Sequence, residues 1–171
     1  MRDTKKNNSW KLNNRGITLV ELIVVIAITA ILAGGGITLM GLVPRMQVNG
    51  CAQDFAGTMN KVKTNTMSFQ EVKVELYQND TGVYMQTYKG GVAEELVQIG
   101  EKGVCVKAVI GGSAVELNGM KLELSYDRSS GAFSDVQVVG VVSGECTSIT
   151  FYRGTTERTA TLTKLTGKIS Y

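Results

Sequence analysis

The 171-residue chain has no histidine, a single proline, three cysteines and only 6% aromatic residues. Each shortage removes a class of function. Without histidine, Ser-His-Asp and Cys-His nucleophile arrangements and histidine-containing zinc sites are excluded. The cysteines, Cys51, Cys105 and Cys146, are too dispersed for a C-x-x-C metal or redox motif, and neither G-x-x-x-x-G-K nor G-x-G-x-x-G occurs. Glu94 and Glu95 are adjacent acids of the kind found on solvated surfaces, and Gly111–Ser113 and Ser143–Glu145 read as turns. These absences point to a protein that is not an enzyme and has no catalytic residues, bound metal or cofactor. An odd cysteine count cannot close a full disulfide set, which leaves two readings. Cys105 and Cys146 form one bridge if the domain lies outside the membrane, or all three are buried thiols acting as small hydrophobes.

Charge is scarce where it is most informative. Residues 1–16 carry Arg2, Lys5, Lys6, Lys11 and Arg15 against Asp3, while the chain as a whole is only +3. The basicity therefore belongs to the leader, where positive charge before an apolar segment holds that end in the cytoplasm. From Ile17 to Val43 the sequence is apolar and carries one charge, Glu21. At 1.5 Å per residue that run makes roughly 40 Å of helix, enough to cross a hydrocarbon core of about 30 Å. A carboxylate inside such a segment costs several kcal/mol (about 3 on insertion scales) unless it is partnered, which marks Glu21 as functional. The plainer alternative is a single-pass anchor whose Glu21 is solvated at the interface.

A removable secretory signal needs a short apolar stretch followed by a small-residue cleavage site. Here the apolar stretch is too long, and the small residue, Gly16, precedes it. Cleavage after Gly16 would leave the helix on the mature chain, beginning at Ile17. Arg15-Gly16-Ile17-Thr18-Leu19-Val20-Glu21-Leu22-Ile23 resembles the cleavage and methylation motif of type IV pilins and type II secretion pseudopilins. The resemblance implies that a prepilin peptidase cuts between Gly16 and Ile17 and methylates the amine of Ile17, and that Glu21 serves assembly. Phenylalanine or methionine is more usual at the first mature position, so Ile17 departs mildly from the pattern. The physical argument for Glu21 runs parallel: a carboxylate four residues from a new positive terminus makes a complementary pair that would set packing register. Gly34-Gly35-Gly36 interrupts the helix at about 1 kcal/mol of lost propensity per glycine. It is a candidate site of helix flexibility, with close helix packing as the alternative.

Beyond Pro44, Val48, Cys51, Phe55, Met59 and Val62 recur at three- and four-residue spacing, predicting an amphipathic continuation of the helix over 44–68. From residue 69 the period changes to two. Strands are predicted at 71–77, 83–88, 95–99, 104–110, 121–126, 133–139, 148–152 and 159–165, with Asn79–Gly82 as a hairpin turn. The fold class is α+β: a long N-terminal helix packed on an antiparallel β-sheet head spanning 69–171. Thr166-Gly167-Lys168-Ile169 resembles the Thr-Gly-basic turn before the last strand of GspH/FimT-type minor pseudopilins.

These readings converge on a pilin-like structural subunit, a minor pilin or pseudopilin, of a type IV pilus, type II secretion system or competence pseudopilus. Its localisation would be single-pass in the cell membrane with the head extracytoplasmic, then in a surface filament. The implied partners are prepilin peptidase, other pilins or pseudopilins, an inner-membrane assembly platform, and membrane lipid before assembly. A competing reading is an anchored extracytoplasmic binding module that contacts DNA during uptake. It rests on Arg153, Arg158, Lys164 and Lys168 near Phe151 and Tyr152, a faint excess of positive charge. A third is an anchored β-domain that never polymerises.

Overall fold

A computed structural model describes residues 17–40, 42–68, 71–138 and 142–171. The chain divides between Leu39 and Met40 into two units, and the first contains almost all of helix α1 (Leu19–Met40). The side chains described in α1 run to Gly34 and are exposed all round, including Leu19, Val20, Leu22, Ile23 and Ile31. A helix that is apolar on every face has no stripe with which to choose one side for burial.

The second unit has the opposite construction. Helix α2 (Leu42–Ser68) buries Val48, Cys51, Ala52, Phe55, Ala56, Met59, Val62 and Thr66, one stripe at i, i+3, i+4 spacing. Pro44 falls in its first turn, where the missing N–H has no intrahelical partner to lose. The Thr66 hydroxyl donates to the Val62 carbonyl at 2.9 Å, so this buried polar group is satisfied. Among the described residues eleven strands follow: β1 (Val72–Asn79), β2 (Gly82–Lys89), β3 (Val92–Glu101), β4 (Cys105–Ile110), β5 (Ser113–Glu116), β6 (Lys121–Ser125), β7 (Val136–Val138), β8 (Val142–Gly144), β9 (Cys146–Arg153), β10 (Thr156–Thr163) and β11 (Lys168–Ser170).

The strands form two sheets, antiparallel as the alternating pattern predicts. One has the order β3-β2-β1-β6-β7-β8 and the other β11-β10-β9-β4-β5, with every strand pair antiparallel. Alternation directs Val72, Val74 and Leu76 of β1, Val106, Ala108 and Ile110 of β4, and Ile149 and Phe151 of β9 into a single core. Helix α2 contacts β1 and β3 of the first sheet and β9 and β10 of the second. Phe55 and Phe151 meet at the centre of that contact, with ring centroids 5.6 Å apart. Each such fully buried side chain contributes about 1.5–3 kcal/mol relative to exposure.

Polar ties join the sheets at their margin. The Val106 N–H donates to Gln78 Oε1 at 2.9 Å, and the Gly119 N–H donates to the Gln78 carbonyl at 3.2 Å, linking β1 to β4 and to the loop before β6. At the far end of α2, Lys63 donates to the Thr166 carbonyl at 2.5 Å. Gly167 there adopts φ 56°, ψ 28°, and a Cβ on it would overlap the Gly131 carbonyl oxygen, so the Thr-Gly-Lys turn before β11 requires glycine.

Candidate functional site

The residues singled out in the sequence lie mainly at the start of α1. Thr18 precedes the helix and accepts the Glu21 N–H on its Oγ1 at 3.2 Å, while its carbonyl accepts the Leu22 N–H at 3.1 Å. Thr18 is thus the N-cap, its hydroxyl accepting the amide of Glu21, the third helical residue. The carboxylate of Glu21 sits in the first helical turn, where the aligned backbone amides favour negative charge. This gives Glu21 a second physical role that the sequence reading missed. The signal was present as the Thr18-to-Glu21 spacing.

Ile17 lies just outside the helix, before the cap. The leader 1–16, including Gly16, lies outside the described residues. Within α1 the Thr29 hydroxyl donates to the Val25 and Ile26 carbonyls at 2.9 and 3.0 Å, so its polarity is absorbed by the helix backbone. Gly34, Gly35 and Gly36 all fall within α1. Among the described residues no helix is long and apolar enough to cross a membrane.

Cys105 and Cys146 are not brought together. Cys105 lies opposite Tyr152, and Cys146 opposite Ile110, at the two ends of the β4–β9 ladder. The strand between them measures about 17 Å at 3.3 Å per residue, far beyond the Cα separation of about 7 Å that a disulfide tolerates. All three cysteines are free thiols. Burial pushes the Cys146 thiol up to about 12, and burial, with a smaller contribution from Asp54, raises Cys51 well above its ordinary range.

The basic residues considered for nucleic acid are dispersed by the fold. Lys164 pairs with Asp135 at 2.7 Å, and the Arg153 guanidinium donates to Gln47 Oε1 across α2. Phe151 is fully buried, and Tyr152 donates to Glu116 at 2.8 Å, which with partial burial pushes its hydroxyl up to about 12. Arg158 and Lys168 stand on different strands.

Residues 11–37 match the family model described as the prokaryotic N-terminal methylation motif. No curated protein and no solved structure matches the chain. The match takes in Gly16, Ile17, Glu21 and the glycine triplet, and ends inside α1. It is a motif of structural subunits and not of an enzyme family, and it implies a membrane-anchored precursor that later enters a filament, with prepilin peptidase and other pilins as partners. The N-terminal segment of this chain is therefore the methylation signature of type IV pilin and pseudopilin precursors, carried ahead of a two-sheet α+β head.

Proposed function

We propose that this protein is a minor pilin or pseudopilin, a mechanical subunit that works by polymerising. Prepilin peptidase cuts after Gly16 and methylates the amine of Ile17. The segment 17–43 then spans the membrane once, with the head outside the cytoplasm, until an inner-membrane assembly platform transfers the subunit into a filament. The filament serves a type IV pilus, a type II secretion system or competence. Residues 44–68 join the apolar segment to the β-rich head, which forms the outer surface of the polymer.

The observation that carries this reading is the placement of Glu21 in the first turn of a helix whose described apolar side chains are exposed on every face. Such a helix needs a cover of lipid or of other apolar helices, and inside that cover a carboxylate needs a cation. Cleavage after Gly16 supplies one, because the amine of Ile17 then lies immediately before the Thr18 cap. The glycine triplet gives α1 a place to melt locally as the subunit leaves the bilayer.

The test is to express the full chain in a bacterium that has a prepilin peptidase and to read the mature N-terminus by mass spectrometry. An N-methylated Ile17 is expected. An intact Met1, or a cut elsewhere, overturns the proposal.

A further inference from the structure

Two clefts run along the flanks of the first half of α2, and their charges are opposite. One, of about 540 Å³, is lined by Arg45 and Asn49 of α2 and by Thr155–Arg158 at the β9–β10 turn. The other, of about 380 Å³, lies between α2 and the end of β3, and its acids are Asp54 and Glu101. At about 100° per residue, Arg45 and Asn49 face one side of the helix, while Gln47, Gly50 and Asp54 face a direction about 150° away. The buried stripe lies between these directions, so both clefts open at the same height on either side of the helix.

The two cations of the first cleft have no carboxylate partner, as is also true of Lys61, Lys102, Arg128 and Lys168 among the described residues. Lys73, Lys89, Lys107, Lys121 and Lys164 each have a carboxylate within 4.0 Å. Among the described residues, Arg45 and Arg158 have neither a hydrogen bond nor an ion pair, although both are exposed. The one acid in that cleft, Glu157, is 3.4 Å from Lys107. Across the helix, Asp54 likewise has no hydrogen bond or ion pair among the described residues. Glu101 accepts from Gln47 Nε2 at 2.5 Å, and Gln47 in turn is held by Arg153. That tie fixes Glu101 in position at the rim of the acidic cleft and keeps its charge.

We infer that these clefts are the two halves of one contact between copies of this chain, the β9–β10 turn of one head seating Arg158 against Asp54 and Glu101 of the next. The occupant follows from charge complementarity: the unpaired arginines of one cleft match Asp54 and Glu101 of the other, and the two clefts lie on different sides of one molecule. A contact between unlike patches does not close on itself by two-fold symmetry. It repeats from copy to copy, giving a ring where the rotation closes and an open helical array where it does not, and the filament reading requires the second. The inference rests on the filament reading above and deepens it by naming the surfaces of the head that meet.

The experiment uses the full chain in membranes of a host with prepilin peptidase and a pilus assembly platform. Cys105→Ser removes the half-buried thiol, and Thr155→Cys with Gln98→Cys places one new thiol at each cleft. Mild oxidation is expected to give a ladder of dimers, trimers and higher species, with either new cysteine alone giving none. Arg158→Glu on that background should reduce the ladder about fivefold, and adding Asp54→Arg should restore it. Without the charge changes, the ladder should also weaken at high salt, as a contact between surface charges does. Filaments without a ladder, a ladder insensitive to Arg158→Glu, or dimers formed by Thr155→Cys alone would overturn the contact while leaving the filament reading intact. An intact Met1 with no filaments would overturn both.

Discussion

Helices α1 and α2 share a period and differ in pattern. In α1 the described apolar side chains are half to three-quarters exposed, from Val24 at 49% to Leu19 at 74%, whereas Val48, Phe55 and Met59 of α2 are fully buried. Helix α2 alternates its apolar stripe with Asp54, Asn60, Lys61 and Lys63, so the sequence itself states which face meets the sheets. Helix α1 states no face, and its described apolar side chains are exposed. Hydrophobicity alone therefore does not identify a core; the distribution of polar residues around the helix decides whether the partner is the protein's own sheet or another body.

The largest effect that would sharpen this contrast is expected at the centre of the head. Phe55→Ala removes the ring packed on Phe151 and should destabilise the head by about 3–5 kcal/mol, read by thermal denaturation, while the helicity of α1 in micelles stays unchanged. Equal loss in both regions would show that they fold as one unit. At the opposite end of the head, Gly167→Ala sets a Cβ against the Gly131 carbonyl in a left-handed conformation. It should cost roughly 1–3 kcal/mol, measured by urea denaturation.

For α1 the decisive change is assembly, not stability. Glu21→Ala or Glu21→Val should leave processing and membrane insertion in place but lower recovery in sheared filaments about tenfold, the equivalent of about 1.4 kcal/mol. Normal incorporation would mean that packing between helices does not need the carboxylate. A smaller effect of opposite sign is expected at Gly34, where a Cβ added to the backbone would meet no atom within 4 Å. Gly34→Ala should make α1 about 1 kcal/mol more stable as a helix, visible as slower amide exchange around residue 34, and should slow transfer into filaments if local melting is needed.

The smallest expected effect belongs to the 127–132 loop of the head. Asp127 accepts from the hydroxyls and amides of Ser129 and Ser130, which holds its carboxyl down at about 2. A depressed carboxylate contributes its stability above its ordinary value of 3.8 and loses it as pH falls toward 2. Carboxyl NMR should show Asp127 titrating near 2 and the loop amides shifting with it, with no change in α1. A midpoint near 4 would show that these bonds do not persist in solution.

Much of the fold was legible because its signals are local. The stripe from Val48 to Val62 read directly as a buried helix face, and the alternation in β1 and β2 around Asn79–Gly82 gave that hairpin. The N-terminal motif was legible for the same reason, since its residues are contiguous. What escaped depends on distant partners. Strands β5 and β8 have four and three residues and exist only through pairing with β4 and β7. Strand β3 runs Val92–Glu101, not 95–99, because an exposed edge strand carries no alternation to mark its ends. The segment predicted as a strand over 133–139 shrinks to Val136–Val138 plus a bridge from Phe133 to Tyr126, with Val139 outside the described residues. The division into two sheets is fixed by the long-range β1–β6 and β4–β9 pairings, which no local pattern announces. The two clefts also escaped, since Arg45 and Arg158 are more than a hundred residues apart.

The separation of Cys105 from Cys146 has a consequence for how the head is made. Its cohesion comes from one continuous core and from ties such as that of Gln78, with no covalent staple among its thiols. Cys51 and Cys146 are protonated at neutral pH and shielded, so they are poor nucleophiles. The fold of the head thus rests on no disulfide among its thiols, and dithiothreitol should leave its melting temperature where it was.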